Sequence, residues 1–124
     1  MASIGDLMSK DLVTVPPSSS VAEAATVMGE RRVSSILVMD GDDMAGIFTE
    51  RDIVRALAQH HDASGHQVTE WMTANPTSVP SDMPVQEALQ VMLDGGYRHL
   101  PIMDGKKVVG VVSMRDISRW LGSA

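Results

Sequence analysis

Sliding the chain along itself until Ile4 falls on Val68 aligns Ile4–Leu57 with Val68–Leu121 without a gap. Identical pairs run through the whole match. The leading half holds Met8/Met72, Val15/Val79, Pro16/Pro80, Val21/Val85, Glu23/Glu87, Ala24/Ala88 and Met28/Met92. The trailing half holds Met39/Met103, Asp40/Asp104, Gly41/Gly105, Gly46/Gly110, Arg51/Arg115, Asp52/Asp116 and Arg55/Arg119. Self-similarity on this scale constrains the fold more than any local signal, because the chain must use one supersecondary unit twice. A unit of about 55 residues buries too little surface alone to offset its chain entropy. The two copies are therefore expected to pack together with pseudo-twofold symmetry.

Each copy reads the same way. A short strand at Val13–Val15 or Thr77–Val79 ends at Pro16 or Pro80. Val21, Ala24, Ala25 and Met28, like Val85, Ala88, Leu89 and Met92, then recur at i, i+3, i+4, i+7 and mark a helix with one apolar stripe. Pro84 suits a first helical turn. Two apolar runs, Ser35–Met39 and Met44–Phe48, flank a turn that begins Asp40-Gly41, and their counterparts flank Asp104-Gly105, so each pair is a hairpin. A last helix follows Thr49 or Ser113, with Ile53, Ala56 and Leu57, or Ile117, Trp120 and Leu121, on its buried face. The expected fold is α/β of the α+β kind: two β-α-β-β-α repeats over residues 4–57 and 68–121. The connector 58–67, with its His, Asp, Ser and Gly, reads as a solvated loop.

The net charge of −6 argues against a non-specific grip on nucleic acid or on an anionic membrane. With aromatics at 3%, the ten methionines must share the packing with aliphatic residues. The absence of cysteine excludes disulfides, thiolate metal sites and thiol nucleophiles, which fits a cytoplasmic protein. No apolar run approaches the roughly 20 residues that span a bilayer. A soluble protein with neither nucleic acid nor membrane as partner is expected.

One seven-residue pattern stands twice: Gly46-Ile47-Phe48-Thr49-Glu50-Arg51-Asp52 and Gly110-Val111-Val112-Ser113-Met114-Arg115-Asp116. Thr49-x-x-Asp52 and Ser113-x-x-Asp116 have the form of a capping box, in which the hydroxyl accepts a helix-start N–H and the carboxylate reaches back. A carboxylate can also accept from both hydroxyls of a ribose diol, and a helix start favours phosphate, so capping and ligand binding both fit. Arg51 and Arg115 read equally as ligand contacts or as solvent-facing helix residues.

The doubled pattern, with Arg32-Val33-Ser34-Ser35-Ile36-Leu37-Val38-Met39-Asp40 and Tyr97-Arg98-His99-Leu100-Pro101-Ile102-Met103-Asp104, resembles the CBS domain over nearly the whole chain. The resemblance is to a stand-alone CBS domain pair, or Bateman module. It implies a regulatory sensor that binds adenosine-containing ligands in clefts between the repeats, with AMP, ADP or ATP foremost; NAD-type and S-adenosylmethionine ligands stay open. In one cleft Thr14, Val33 and Ser34 would face adenine, while Arg98, His99, Ser113, Arg115 and Asp116 would hold ribose and phosphate. The mirror cleft would use Arg32, Thr49, Arg51, Asp52, Ser78 and Tyr97, with Arg98 on its adenine side.

The nucleotide would be a regulatory ligand, and no cofactor is required. His60, His61 and His66 with Asp62 read as loop residues, and no metal site is expected. No nucleophile with its base stands out, so the chain is expected not to be an enzyme. The alternative is a dimeric interaction module, with empty clefts, acting on an effector protein. In either case a homodimer is expected, through helix faces bearing Ile53, Leu57, Ile117, Trp120 and Leu121.

Overall fold

The computed structural model describes residues 2–123, which divide into two compact units. The first unit is Val13–Pro76; the second joins the residues up to Leu12 with those from Thr77 onward. The first contains β1 (Thr14–Val15), α1 (Val21–Arg31), β2 (Ser35–Asp40), β3 (Asp43–Thr49), α2 (Glu50–Gln59) and β4 (Thr73–Ala74). Short 3-10 turns at Ala63–Gly65 and Val68–Glu70 lie between α2 and β4. The second contains a 3-10 turn at Ile4–Asp6, then α3 (Val85–Gly95), β5 (His99–Asp104), β6 (Lys107–Ser113) and α4 (Met114–Gly122). The expected class, mixed α and β with two tandem repeats, is the one observed.

In the first unit the strands lie in the order β1-β2-β3-β4. Strand β1 runs parallel to β2, with Thr14 opposite Leu37 and Val15 opposite Val38. A parallel pair needs a crossover, and α1 supplies it. That helix begins where Ser20 accepts from the Glu23 N–H at 3.0 Å and Glu23 accepts from the Ser20 N–H at 3.0 Å. These bonds hold the Glu23 carboxyl below its ordinary value, the backbone donor foremost. Val21, Ala24 and Met28 form the buried stripe that the spacing predicts. Strands β2 and β3 form the hairpin, turning at Gly41, whose φ of +61° suits a residue without a Cβ.

Each unit has its own core. Val15, Val21, Met28, Ile36, Val38 and Phe48 pack in the first, closed by Ala63, Val68 and Trp71. Val79, Val85, Met92, Leu100, Ile102, Val112 and Ile117 pack in the second, closed by Ile4. Each fully buried aliphatic or aromatic side chain contributes roughly 1.5–3 kcal/mol relative to exposure. The equivalent residues Ile4 and Val68 thus each serve the unit formed mainly by the other repeat. The same exchange completes the hairpins. Thr73 and Ala74 pair with Ile47 and Gly46, and Ser9 pairs with Val111 in the second unit.

This exchange explains the repeated glycines. A Cβ at Gly46 would stand 2.6 Å from the Thr73 carbonyl oxygen and 2.6 Å from the Met72 sulfur. One at Gly110 would stand 2.5 Å from the Met8 sulfur and 2.9 Å from the Ser9 carbonyl oxygen. The segment that closes each sheet edge lies too near for any side chain.

Four expectations need correction. The strand at Thr77–Val79 is reduced to a single parallel bridge between Val79 and Ile102. In the first unit the Leu37 N–H donates to Val13 at 3.0 Å, but Pro101 stands at the equivalent place and has no N–H to give. Leu57 and Leu121 are 43% and 50% exposed rather than buried, while Ala56 and Ile117 of the same expected faces are buried. Pro84 occupies the N-cap position, one residue before the first helical turn of α3. The connector is not all loop: Ala63 is buried in the core, and Trp71 donates from Nε1 to His66 Nδ1 at 3.3 Å.

Candidate functional site

Both Ser/Thr-x-x-Asp patterns fall where a hairpin strand feeds a helix, and both form capping boxes. At the start of α4, the Ser113 N–H donates to Asp116 Oδ2 at 2.8 Å, and the Asp116 N–H donates to Ser113 Oγ at 3.1 Å. At the start of α2, the Thr49 N–H donates to Asp52 Oδ2 at 2.9 Å, and the Asp52 N–H donates to Thr49 Oγ1 at 3.4 Å. The Thr49 hydroxyl adds a bond to Asp52 Oδ2 at 3.2 Å. Capping is therefore made in both copies, and it occupies one oxygen of each carboxylate.

The second oxygens differ. Asp52 is 7% exposed, and its Oδ1 accepts from Arg55 Nη2 at 3.2 Å. Asp116 is half-buried, and among the described residues nothing donates to its Oδ1. Arg119 is the sequence equivalent of Arg55, yet among the described residues no ion pair joins it to Asp116. Both oxygens of Asp52 are bonded, whereas among the described residues one oxygen of Asp116 keeps its full capacity for an incoming donor.

Around Asp116 the second unit gathers five of the expected residues. His99 lies opposite Ser113 in the β5–β6 register, and the Met114 N–H donates to the Arg98 carbonyl at 2.8 Å. Arg98, His99, Ser113, Arg115 and Asp116 thus meet at one end of the hairpin where α4 begins, with Arg98 and Arg115 exposed. Two cations, an imidazole and a helix start converge there, an arrangement that favours an anionic group. The equivalent end of the first unit brings Ser35 opposite Thr49, and the Glu50 N–H donates to the Ser34 carbonyl at 3.1 Å.

The remaining expected residues stand as follows. Thr14 is exposed on β1, and Val33 and Ser34 are half-buried between α1 and β2, all in the first unit. Arg51 is exposed on the first turn of α2. Arg32 ends α1 in the left-handed conformation, φ +56°, where the other copy has Gly96 at φ +70°. Its backbone is thus committed to stopping a helix. Ser78 and Tyr97 belong to the second unit, and the Thr77 hydroxyl donates to the Tyr97 hydroxyl at 3.0 Å. The ring of Tyr97 lies against Gly95, where any Cβ would overlap it.

Sequence reasoning placed Arg55 on the solvent-facing side of its helix and missed its pairing with Asp52. Its signal was present, since Asp-x-x-Arg places the two side chains on one helix face, but the same spacing recurs at Asp116 and Arg119. Among the described residues, no cluster of three or more His, Asp or Glu is placed to hold a metal ion, and no helix is long and apolar enough to cross a membrane.

The model of the family described as the CBS domain matches residues 4–59 and again 68–123, and the chain belongs to that family as a CBS domain pair. It is 38% identical over 120 residues to an uncharacterized 17.7 kDa protein of Acidianus ambivalens, covering 95% of this chain and 72% of that protein. Its structure is similar to that of the CBS-domain containing protein ATU1752 from Agrobacterium tumefaciens, with a TM-score of 0.90 at 30% identity, covering 97% and 99% of the two chains. It is also similar to the CBS domain pair of protein MJ0100, with a TM-score of 0.92 at 30% identity, covering 99% and 98%. The MJ0100 crystal structure is of a complex with 5′-methylthioadenosine and S-adenosyl-L-methionine.

Proposed function

We propose that this chain is a regulatory module that binds an adenosine-containing ligand, with Asp116 gripping the ribose diol. The observation that carries the reading is the half-satisfied carboxylate. Asp116 is held at the start of α4 by one oxygen, its other oxygen accepts from none of the described residues, and α4 begins at the hairpin end that carries Arg98, His99, Ser113 and Arg115. A diol offers two O–H donors to such a carboxylate, and the neighbouring cations and helix start suit one or more phosphates. That chemistry favours AMP, ADP or ATP. The adenosine ligands of MJ0100 support the sugar and base and leave the substituent at C5′ to experiment. Binding would bias the state of an effector protein through differential affinity rather than drive a reaction of its own.

The test is thermal denaturation with AMP, ATP, S-adenosylmethionine and 5′-methylthioadenosine, each beside its 2′-deoxy analogue. A ligand at a hundred times its Kd adds about 2.7 kcal/mol to the folded state. For a domain of this size that raises Tm by about 10 °C. The ribonucleoside compounds are expected to stabilise more than their deoxy counterparts, and Asp116→Ala is expected to remove the shift. If no adenosine compound at millimolar concentration moves Tm, the reading fails.

A second role is favoured by one observation. Val54, Leu57 and Leu121 leave large apolar surfaces exposed, at 67%, 43% and 50%, on α2 and α4. We take these helices as the contact of a homodimer, in which Leu57→Glu and Leu121→Glu together should yield a monomer in sedimentation.

A further inference from the structure

Three groups hold Arg55 over Asp52. Its Nη2 donates to Asp52 Oδ1 at 3.2 Å and to the Trp71 carbonyl oxygen at 2.7 Å, and its guanidinium carbon lies 5.2 Å from the centre of the Trp71 ring. Trp71 is itself fixed. It is buried in the core of the first unit, its N–H donates to the Val68 carbonyl at 3.0 Å, and its indole N–H donates to His66. The His60 ring stands edge-on to it at 5.8 Å. A guanidinium anchored to a rigid carbonyl and a rigid ring loses little further freedom by staying on the carboxylate.

The other copy spells the same helix start but lacks the anchor. Where the first unit has Trp71, the second has Leu7, and among the described residues no ring lies beneath Arg119, which is exposed. The two Asp-x-x-Arg pairs share their spacing and differ in state: Arg55 is on its aspartate, and among the described residues Arg119 is not.

Resting on the ligand-binding reading above, we propose that Arg55, seated on Trp71, is a latch that closes Asp52 to sugar diols. Each chain then binds one adenosine-containing ligand, through Asp116. For Asp52 to free Oδ1 for a diol, Arg55 must give up its bond there while its contacts to the Trp71 carbonyl and ring hold it in place, and Oδ2 already carries two bonds. Among the described residues Asp116 accepts only from the Ser113 N–H and has no side-chain partner to give up. Arg55 is in this sense a residue that sets stoichiometry, acting through Asp52 rather than touching the ligand.

Isothermal titration with AMP and with S-adenosylmethionine tests this on the full chain, stripped of bound nucleotide by refolding. The wild type is expected to bind one equivalent, Arg55→Met two, and Arg55→Met with Asp52→Ala one again. Arg55→Gln, which keeps a neutral donor, guards against a folding defect in the methionine variant and should also open the second site; circular dichroism confirms that each variant is folded. Two equivalents on the wild type, or one on both folded Arg55 variants, would overturn the latch. If neither probe binds wild type or variants, the ligand-binding reading falls and the latch with it. If the wild type is silent and the Arg55 variants bind one equivalent, the latch stands and Asp116 is not the grip.

Discussion

Replacing the two equivalent carboxylates one at a time should give opposite rankings in stability and in binding. Asp116→Ala removes one charge-assisted bond, from the Ser113 N–H at 2.8 Å, on a half-buried side chain. It also removes a negative charge from a helix start, while alanine returns a few tenths of a kcal/mol of helix propensity. The net cost is about 1.5 kcal/mol. Asp52→Ala removes the same bond, at 2.9 Å, together with the Thr49 hydroxyl bond and the Arg55 pair, from a residue almost wholly buried. The hydroxyl left unpaired adds about 1 kcal/mol, and the Arg55 pair, nearly half exposed on the arginine side, adds about 0.5 kcal/mol after screening. Asp52→Ala should therefore cost about 3 kcal/mol, twice the loss at Asp116, a gap in Tm of about 6 °C. Urea unfolding followed by far-ultraviolet circular dichroism, on nucleotide-stripped protein at neutral pH, measures both. Repeating the melts with AMP should reverse the order of damage: Asp52→Ala keeps the ligand-induced shift, and Asp116→Ala loses it. Equal losses of stability in ligand-free buffer would refute the account of the two second oxygens, because it assigns Asp52 bonds that Asp116 lacks.

Glycine substitutions should divide by environment. Gly46→Ala and Gly110→Ala, which force a Cβ against backbone oxygens of the closing segments, should each cost about 2–3 kcal/mol in urea unfolding, whereas Gly29→Ala, in open space on α1, should gain about 0.5–1 kcal/mol. Asp104 accepts from the Ser81 N–H at 3.1 Å and from the Ser81 hydroxyl at 2.9 Å, and these bonds hold its carboxyl below the ordinary 3.8. A carboxyl lowered on folding adds stability above its unfolded value and loses it as pH falls through the folded one. Asp104→Asn should therefore melt below the wild type at neutral pH, with the difference closing under acid.

Much of the fold was legible because the repeat doubled every local signal. The stripe Val21, Ala24, Met28 is buried as its spacing requires, and so is Val85, Ala88, Met92. Asp40-Gly41 and Asp104-Gly105 make their turns with positive φ at the glycine. What escaped depends on partners remote in sequence. The weak strand at Val79 follows from Pro101 on the neighbouring strand, a pairing no window around Val79 contains. The exchange of leading segments between units left only an oblique trace, a glycine where a strand would otherwise carry a side chain. Leu57 and Leu121 keep a helical period with Ile53 and Ile117, but periodicity alone does not say which edge of a stripe stays outside. At the site the capping geometry was readable in full, while the difference between Asp52 and Asp116 was not, since it turns on Trp71 against Leu7.

Capping and ligand binding are two readings of the same four residues, and under the proposed function the cap that the structure shows prepares the carboxylate for its ligand. A free aspartate at a helix start would have to be ordered by its ligand, at an entropic cost that weakens binding. The box orders it in advance: one oxygen accepts from the residue that ends the strand, and this fixes the carboxylate before any ligand arrives. A carboxylate has two oxygens, so a cap uses one and leaves a site with one. What the duplicated chain does with the spare oxygen is then free to diverge without disturbing either helix. In the first unit it is bonded to Arg55 and strengthens the fold; in the second none of the described residues donates to it. A single substitution at position 55 should therefore change how many ligands the chain can hold while leaving the box, and the fold it starts, in place.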